Sequence, residues 1–307
     1  PVAAGFPGLQ GVSDLVFQAY DPEQALAAAD AFFFALPDGE AMEKVPPLVD
    51  AGSRVVDLSG DFRVRDAAAY ARWYGREHRS PEYLARAVYG MPELSPGRLS
   101  GAVLVANPGC YPTCILLAVA PLFAAGLADP NSLIADAKSG VSGAGGRAGL
   151  DPAFSFPAIA DNFRPYAVTG HRHIAEMEQE LAGLSGGEVR LTFTPHLLPV
   201  NRGLEATCYV RLTASATTAE LTERYTEYYR SAPFVHVLPT GLPELRFVNG
   251  SNMAHVAVRV DERTGRAICL AVIDNLVKGA AGSAMQNMNL ICGLPETAGL
   301  RHGAFGP

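Results

Sequence analysis

The chain has 307 residues, of which 49% are hydrophobic and 18% are charged, and its formal net charge is −7. This composition permits a sizeable core and excludes a disordered chain. The net charge is negative and no run of basic residues is present, which argues against nucleic acid or an anionic membrane as a partner. No stretch approaches the roughly 20 apolar residues that span a bilayer, and no secretory signal is visible.

Helix and strand patterns alternate in the first third of the chain. After a Gly- and Pro-rich start with one short strand at 15–17, a helix begins at Asp21 and a continuous apolar run at 31–36 predicts a strand buried on both faces. A helix over 40–51 and a strand over 54–58 follow. This order is typical of a doubly wound α/β unit. The irregular, aromatic-rich region that follows predicts a helix and an ordered loop near a site.

Cys110 lies where a strand at 103–106 turns through Asn-Pro-Gly into a helix predicted over 113–127. A helix N-terminus favours the thiolate, which is the nucleophilic form of cysteine, and ligands bind at the carboxyl ends of strands in open α/β sheets. The alternative is a buried structural cysteine at a helix start. The other four cysteines form no CxxC pair and no disulfide framework, so we expect reduced thiols and a cytoplasmic protein.

Two later segments carry candidate site residues. A strand over 132–138 runs into a Gly/Ser-rich loop at 139–147, whose successive N–H groups could bind an anion. The loop is neither a Walker loop nor a clean GxGxxG, and a flexible surface loop is the alternative. His171 and His173 lack the further ligands of a metal site, so we predict no metal. We interpret one of these two imidazoles as a general base beside a thiol nucleophile.

Arginines near these segments are candidate anion ligands. Arg164 and Arg172 could bind a carboxylate or phosphate, or could pair with surface glutamates such as Glu176. Arg202 lies in a Pro-punctuated loop at 194–203 and either faces the site or caps a strand end.

From residue 188 the pattern changes to longer, alternating strands, which predict a second domain of α+β type with an antiparallel sheet. These strands are predicted at 189–195, 204–212, 234–238, 255–261 and 267–274, with one helix at 219–230. The last element, at 274–288, predicts a helix with one face of small residues, against which either a nucleotide or a sheet packs closely.

Taken together, several motifs in this order resemble the N-acetyl-γ-glutamyl-phosphate reductases of arginine biosynthesis, which are related to aspartate-semialdehyde dehydrogenases and phosphorylating glyceraldehyde dehydrogenases. The motifs are at 35–39, 57–63, 107–113, 139–145, 170–173 and 274–289. The resemblance runs from about Phe6 to the end. It begins after the strand, Gly-x-x-Gly-x-x-Gly turn and helix that hold the NADP pyrophosphate in the family, so we expect the chain as numbered to lack that unit.

The resemblance implies a fold and a reaction. The fold is an α/β Rossmann-like, NADP-binding domain formed by 1–109 and 275–307, and an α+β catalytic and dimerisation domain formed by 110–274 with a mainly antiparallel sheet. The reaction is the NADPH-dependent reduction of the acyl-phosphate substrate, N-acetyl-γ-glutamyl phosphate, to the semialdehyde and phosphate. Cys110 would form a thioester, and His171 would be the acid/base. An exposed antiparallel sheet in the second domain would favour assembly into a homodimer or homotetramer.

Further site residues are predicted on the motifs of this family or close to them. The predicted substrate-binding residues are Asn107, Ser139, Gly140, Arg164, Tyr166, His173 and Arg202. The predicted cofactor-binding residues are Pro37, Ser142, Gly143, Ala144, Gly145 and Asn275.

Three other functions stay open at this point. A sibling reductase would act on an aminoadipyl phosphate with the same Cys–His pair. A cofactor-free cysteine hydrolase or acyltransferase would use that pair as well, but it explains neither the Gly/Ser loop nor the small-residue final helix. A non-catalytic scaffold would use none of these groups.

Overall fold

The computed structural model describes residues 1–95, 97–149 and 152–306. Its strands form two sheets. Within these ranges the strands are β1 (Ala31–Phe34), β2 (Arg54–Asp57), β3 (Ala87–Tyr89), β4 (Leu104–Ala106), β5 (Ile134–Gly140), β6 (Arg164–Pro165), β7 (Thr192–Leu198), β8 (Leu204–Arg211), β9 (Val235–Val237), β10 (Ala254–Asp261) and β11 (Arg266–Ile273).

Helices join and cover these strands. In the described ranges the α-helices are α1 (Val2–Gly5), α2 (Pro22–Ala28), α3 (Ala41–Lys44), α4 (Pro46–Asp50), α5 (Ala67–Tyr74), α6 (Cys110–Ala124), α7 (Phe156–Ile159), α8 (His173–Ser185), α9 (Thr218–Tyr228) and α10 (Gly282–Ile291). A π-helical turn, Val277–Ala281, precedes α10. No helix among them is long and apolar enough to cross a membrane.

The first sheet is parallel throughout, with the strand order β1-β2-β4-β3. One face packs on α3 and α4 through a cluster that includes Leu48, Val55 and Leu104. The other face packs on α10, where Ala284 and Met288 join a cluster with the strands. The predicted α/β unit is therefore confirmed, and the small residues of the final helix face a sheet.

Three details of this first sheet differ from the sequence prediction. Among the described strands β1 lies at the edge of the sheet. It is not buried on both faces, since Phe33 is 48% exposed. The predicted helix at 40–51 is divided between α3 and α4, because Pro46 begins a new helix and has no N–H to donate. The strand β3 was not predicted, and residues 15–17 form no strand.

The second sheet is mixed but mainly antiparallel, with the strand order β6-β7-β5-β8-β11-β10-β9. Two neighbouring pairs, β7 with β5 and β10 with β9, are parallel. Residues of α6, α8 and α9 cover one face in a cluster with the strands, which buries Cys114, Met177 and Tyr225 completely. β7 extends to Leu198, so His196 lies in a strand and not in the predicted loop.

Candidate active site

Cys110 is the first residue of α6, which begins three residues earlier than predicted. Gly109 precedes it as the N-cap, and the preceding strand β4 ends at the carboxyl edge of the parallel sheet. The thiol is partly buried. Burial raises the pKa of Cys110 to about 11, although a backbone hydrogen bond from Tyr111 lowers it. The helix N-terminus therefore lowers the pKa of the thiol, as predicted, but burial raises it by more. With this pKa the thiol is protonated at neutral pH.

Two glycines allow other segments to approach the thiol closely. A Cβ at Gly279, in the π-helical turn, would lie 2.8 Å from the Cβ of Cys110. A Cβ at Gly109 would lie 2.5 Å from Nε2 of His173. Neither distance is one that a real Cβ tolerates, so both glycines are required for this packing. The final helix and the His segment consequently meet at Cys110.

The two histidines are held against each other and against Tyr111. The backbone N–H of His173 donates to Nδ1 of His171 at 3.2 Å, and the two ring centroids are 4.6 Å apart. The ring of Tyr111 lies 5.7 Å from that of His171 and 6.1 Å from that of His173. Burial, and next the neighbouring His171, hold the pKa of His173 well below its ordinary value. A neutral His173 therefore lies next to the residue that precedes the thiol.

A buried carboxylate, which the sequence suggested only as a surface partner for an arginine, organises this region. Glu176 is 0% exposed and accepts the N–H of Gly109 at 3.1 Å and the hydroxyl of Tyr89 at 3.0 Å. Arg63 forms an ion pair with it at 3.3 Å. The surface alternative for Glu176 is wrong, because Arg63 reaches it from the turn that follows β2. Glu176 lies three residues after His173, so both side chains lie on one face of α8. This spacing was the sequence feature from which the role of Glu176 could have been predicted.

The Gly/Ser loop is attached to the start of the final helix. Ser142 Oγ donates to the carbonyl of Asn201 at 2.6 Å and accepts from Nδ2 of Asn275 at 3.0 Å. Oδ1 of Asn275 accepts the N–H of Gly203 at 2.8 Å. A Cβ at Gly143 would lie 2.9 Å from the hydroxyl of Ser139. These contacts hold residues 139–143 in place, so a flexible surface loop does not describe this part.

Other predicted residues of this loop have different surroundings. A Cβ at Gly140 would lie 2.7 Å from the carbonyl oxygen of Asn201, so close backbone packing requires this glycine. Ala144 lies in the 3₁₀ turn Val141–Gly149. Gly145 has φ of +57° and ψ of −141°, a backbone conformation that favours glycine, and the space beside its Cα is open.

Asn107 is 0% exposed, and its side chain joins two elements. Its Nδ2 donates to the carbonyl of Ala280 at 3.2 Å, and its Oδ1 accepts from Nδ2 of Asn287 at 2.9 Å. In this arrangement Asn107 fixes the end of β4 against the final helix. Its side-chain atoms are satisfied within the fold, and its direct contact with a substrate stays a prediction.

The remaining predicted substrate ligands are spread over the second sheet. The hydroxyl of Tyr166 donates to that of Tyr111 at 3.1 Å, which brings it to the histidines. Arg202 forms an ion pair with the buried Asp274 at 3.2 Å, beside Asn275. Arg164 lies on the edge strand β6 and donates to the carbonyl of Ala153 at 3.0 Å. Tyr166 and Arg202 are thus near the groups described above, and Arg164 is bound to a different loop.

Pro37 is exposed just beyond the carboxyl end of β1. In the part of the chain that the structure describes, no group of three or more His, Cys, Asp or Glu side chains could hold a metal ion.

Family models match both halves of the chain. Residues 1–102 match the model of the semialdehyde dehydrogenase NAD binding domain, which supports a nicotinamide cofactor. Residues 110–275 match the model of the semialdehyde dehydrogenase dimerisation domain, which supports formation of an oligomer.

Solved structures of aspartate semialdehyde dehydrogenases share the fold. Aspartate semialdehyde dehydrogenase II from Vibrio cholerae has a TM-score of 0.66 at 20% identity, over 89% of this chain and 81% of that one. The enzyme from Candida albicans, solved with NADP, has a TM-score of 0.58 at 19% identity, over 91% of this chain and 82% of that one. These similarities establish the semialdehyde dehydrogenase fold.

Sequence relatives identify the family more narrowly. The N-acetyl-γ-glutamyl-phosphate reductase of Geobacter metallireducens is 49% identical over 98% of this chain and 86% of its own length. That of Syntrophobacter fumaroxidans is 47% identical over 98% of this chain and 87% of its own length. The chain belongs to the N-acetyl-γ-glutamyl-phosphate reductase family.

Proposed function

We propose that the chain reduces N-acetyl-γ-glutamyl phosphate with NADPH to N-acetylglutamate 5-semialdehyde and phosphate, through a thioester on Cys110. The observation that carries this proposal is the convergence of three segments on one thiol. Gly279 of the final helix lies against Cys110, His173 lies against Gly109, and His171 accepts a hydrogen bond from His173. A nucleophilic thiol needs an imidazole base within reach, and both histidines lie on the segment that packs against the residue before Cys110.

Cys110 acts as the nucleophile in this proposal. Its sulfur attacks the acyl carbon, the bond from that carbon to the phosphate oxygen breaks, and phosphate leaves with the bonding electrons. Because the pKa of the thiol is about 11, a base must take its proton as the bond forms. We assign this proton to His171, which then gives it to the substrate carbonyl oxygen in the later reduction. Collapse of the resulting thiohemiacetal breaks the C–S bond, returns the oxygen's proton to the sulfur by way of His171, and releases the aldehyde with Cys110 restored as a thiol. His173 holds His171 through its N–H.

The residues present fit a dinucleotide at the carboxyl edge of the parallel sheet. Pro37 is exposed at the end of β1, and open space lies beside Gly145. Pro37, Asn275 and residues 142–145 would hold the cofactor. When bound, a nicotinamide cofactor supplies the hydride that converts the thioester carbon to the oxidation level of an aldehyde.

The substrate would lie between the Gly/Ser loop and the tyrosine pair. Ser139 and Gly140 are placed to support negative charge on the substrate, since they lie at the end of β5 beside Tyr111. Arg202 is the best-placed of the predicted arginines for the substrate carboxylate. It is 35% exposed and held by the buried Asp274, which adjoins Asn275. Arg164 and Tyr166 would border the same space.

We further propose that the chain forms a homodimer, or a tetramer built from such dimers, through the outer face of the second sheet. On this face Ile134, Tyr209 and Ile268 are aligned across β5, β8 and β11. Ile134 is 42% exposed and Tyr209 is 37% exposed. Such an apolar row on an open sheet face is suited to self-association. We infer the domain boundaries at 109/110 and 274/275.

The decisive test replaces Cys110 and uses Cys292, the other partly exposed thiol, as a matched control. Cys110→Ser should abolish phosphate-dependent oxidation of the semialdehyde with NADP⁺, whereas Cys292→Ser should retain it. Retention of activity within about tenfold in Cys110→Ser would contradict a covalent role. Thioester cleavage that needs no cofactor would instead favour the hydrolase, and the absence of both activities in the parent chain would favour a scaffold.

A further inference from the structure

Arg172, between the two histidines, forms an ion pair with Asp38, which follows β1 in the other half of the molecule. The Arg172 side chain is 31% exposed and that of Asp38 is 15% exposed. The guanidinium carbon also lies 5.5 Å from the centroid of the Tyr74 ring. A partly buried ion pair that stacks on an aromatic ring is more strongly fixed than a surface pair.

Asp38 itself is held rigidly on the side of the parallel sheet. One carboxylate oxygen accepts the N–H of Gly60 at 3.0 Å. The carboxylate of Asp61 accepts the neighbouring N–H of Gly39 at 2.7 Å and that of Ala41 at 3.1 Å. The loop after β1 is therefore fixed to the loop after β2, and the second oxygen of Asp38 reaches Arg172.

The ring of Tyr74 belongs to the same rigid unit. It stacks on Tyr70 with the ring centroids 4.4 Å apart and an interplanar angle of 6°. The hydroxyl of Tyr70 donates to Asp61 at 2.9 Å, and a side chain at Gly60 would collide with Tyr74. Arg172 consequently meets a surface whose carboxylate and aromatic face are both fixed.

On its other side Arg172 is joined to the site. It directly precedes His173, whose ring lies against Gly109, and its carbonyl accepts the N–H of Ala175 in the first turn of α8. A displacement of Arg172 would therefore move both imidazoles relative to Cys110.

We propose that Arg172 is a positioning residue whose ion pair with Asp38 sets the placement of His171 and His173 from the loop that follows β1. This inference rests on the proposed function, in which that loop borders the cofactor at Pro37. Order in the loop would then be transmitted to the acid/base group. The alternative role for Arg172, a direct ligand of the substrate's negative charge, requires no contribution from Asp38.

The test is a double-mutant cycle on the full chain with Asp38→Asn, Arg172→Met and the pair of substitutions together. Asparagine keeps an acceptor for the N–H of Gly60 and removes the charge facing Arg172. Each single variant should lower kcat roughly 10–100-fold, the scale of a misplaced catalytic group, while the KM for the acyl phosphate stays constant. The double variant should lose no more than the poorer single variant, because both remove one interaction.

Arg76→Met is the matched control. Arg76 is exposed and donates to the backbone carbonyl of Asp38 at 2.6 Å, so it binds the same loop. It is not part of the link between Asp38 and the His segment. This variant should keep the parental kcat. A raised KM in Arg172→Met with a normal Asp38→Asn would overturn the proposal in favour of a substrate ligand, and additive losses in kcat would overturn it in favour of independent roles.

Amide hydrogen exchange gives a readout that does not depend on activity. In Asp38→Asn the amides of His173 and Ile174, which donate to the side chain and carbonyl of His171, should exchange faster while the melting temperature is retained. Unchanged exchange would contradict the coupling. A parent chain without reductase activity would refute the proposed function, and the exchange result would still decide whether Asp38 holds the His segment.

Discussion

The protonation state of Cys110 depends on two opposing effects, that of the helix N-terminus and that of burial. The helix start favours the thiolate through backbone N–H groups, and burial disfavours it more strongly, so that the pKa rises to about 11. A protonated resting thiol is less open to oxidation and alkylation than a free thiolate. On the proposed mechanism, its reactivity develops when substrate and an imidazole base are in place.

This arrangement predicts the pH dependence of alkylation in the free chain. In a Cys292→Ser background, iodoacetamide should modify Cys110 slowly at neutral pH, because the thiolate fraction is small when pH is well below the pKa. The rate should rise with pH and show no plateau below about pH 11. Mass spectrometry of the peptide that contains Cys110 measures this rate of alkylation. A plateau near neutral pH would show that an imidazole already holds the thiol deprotonated.

At the scale of elements, the final helix shows why its small residues are needed. The sequence pattern left open whether a nucleotide or a sheet packs on them. In the structure Ala284 faces the parallel sheet, whereas Gly279 faces Cys110 itself. The same segment therefore packs on the sheet through one residue and contacts the candidate nucleophile through another. The pattern of apolar positions in the sequence does not distinguish these two roles.

Gly279→Ala is expected to damage the site. The added methyl group would lie 2.8 Å from the Cβ of Cys110, so the thiol or the π-helical turn must shift, at a cost of roughly 1–3 kcal/mol. Activity should fall together with the free energy of unfolding. Gly183→Ala is the matched control in α8, where the added methyl group meets open space and should stabilise by about 0.5–1 kcal/mol. Equal behaviour of the two variants in urea denaturation would contradict the close approach.

At the scale of the whole molecule, a buried ion pair connects distant parts of the chain. Lys278 is 1% exposed, and its Nζ lies 2.5 Å from Oε1 of Glu93 and 2.7 Å from Oε1 of Gln286. Its ammonium also lies 5.6 Å from the ring centroid of Phe234 in the second half of the molecule. Lys278 immediately precedes Gly279, so this pair also holds the turn that contacts Cys110.

Lys278→Met should be strongly destabilising. It leaves the carboxylate of Glu93 buried without its cation, which costs about 3–5 kcal/mol in other proteins. Urea denaturation measures the loss, and the double variant with Glu93→Gln should recover part of it, because the unpaired charge is then absent. A loss below about 1 kcal/mol would mean that water reaches the pair as it does at a surface.

If the chain forms the proposed dimer, a charge on the outer face of the second sheet should lower the mass of the assembly in solution. Tyr209→Arg places a charge in the apolar row with Ile134 and should convert the oligomer to monomers in sedimentation experiments. Leu242→Arg is the control, since Leu242 is 59% exposed and belongs to a loop outside this row. An unchanged mass in Tyr209→Arg would move the interface elsewhere.

The sequence predicted the local features well, because they depend on neighbouring residues. The strand and turn before Cys110, the helix start at Asp21 with its side-chain cap, and the change from alternating helices and strands to a mainly antiparallel sheet were all readable from periodicity and turn residues. The family resemblance likewise came from short motifs, and its relatives confirm it. The sequence did not predict the edge position of β1, because strand order depends on tertiary structure. It did not predict the helix break at Pro46 either, because the helical pattern of apolar residues continues across this proline.

The amino-acid sequence by itself thus determined the family, the two kinds of sheet and the thiol as the candidate nucleophile. Only the tertiary structure decided which distant groups meet at that thiol. The burial of Glu176 with Arg63, the contact of Gly279 with Cys110 and the link from Asp38 to Arg172 each join residues separated by more than 100 positions. Such contacts follow from how the loops and helix starts of the two halves of the chain are brought together, and they decide burial, charge pairing and the pKa of the thiol.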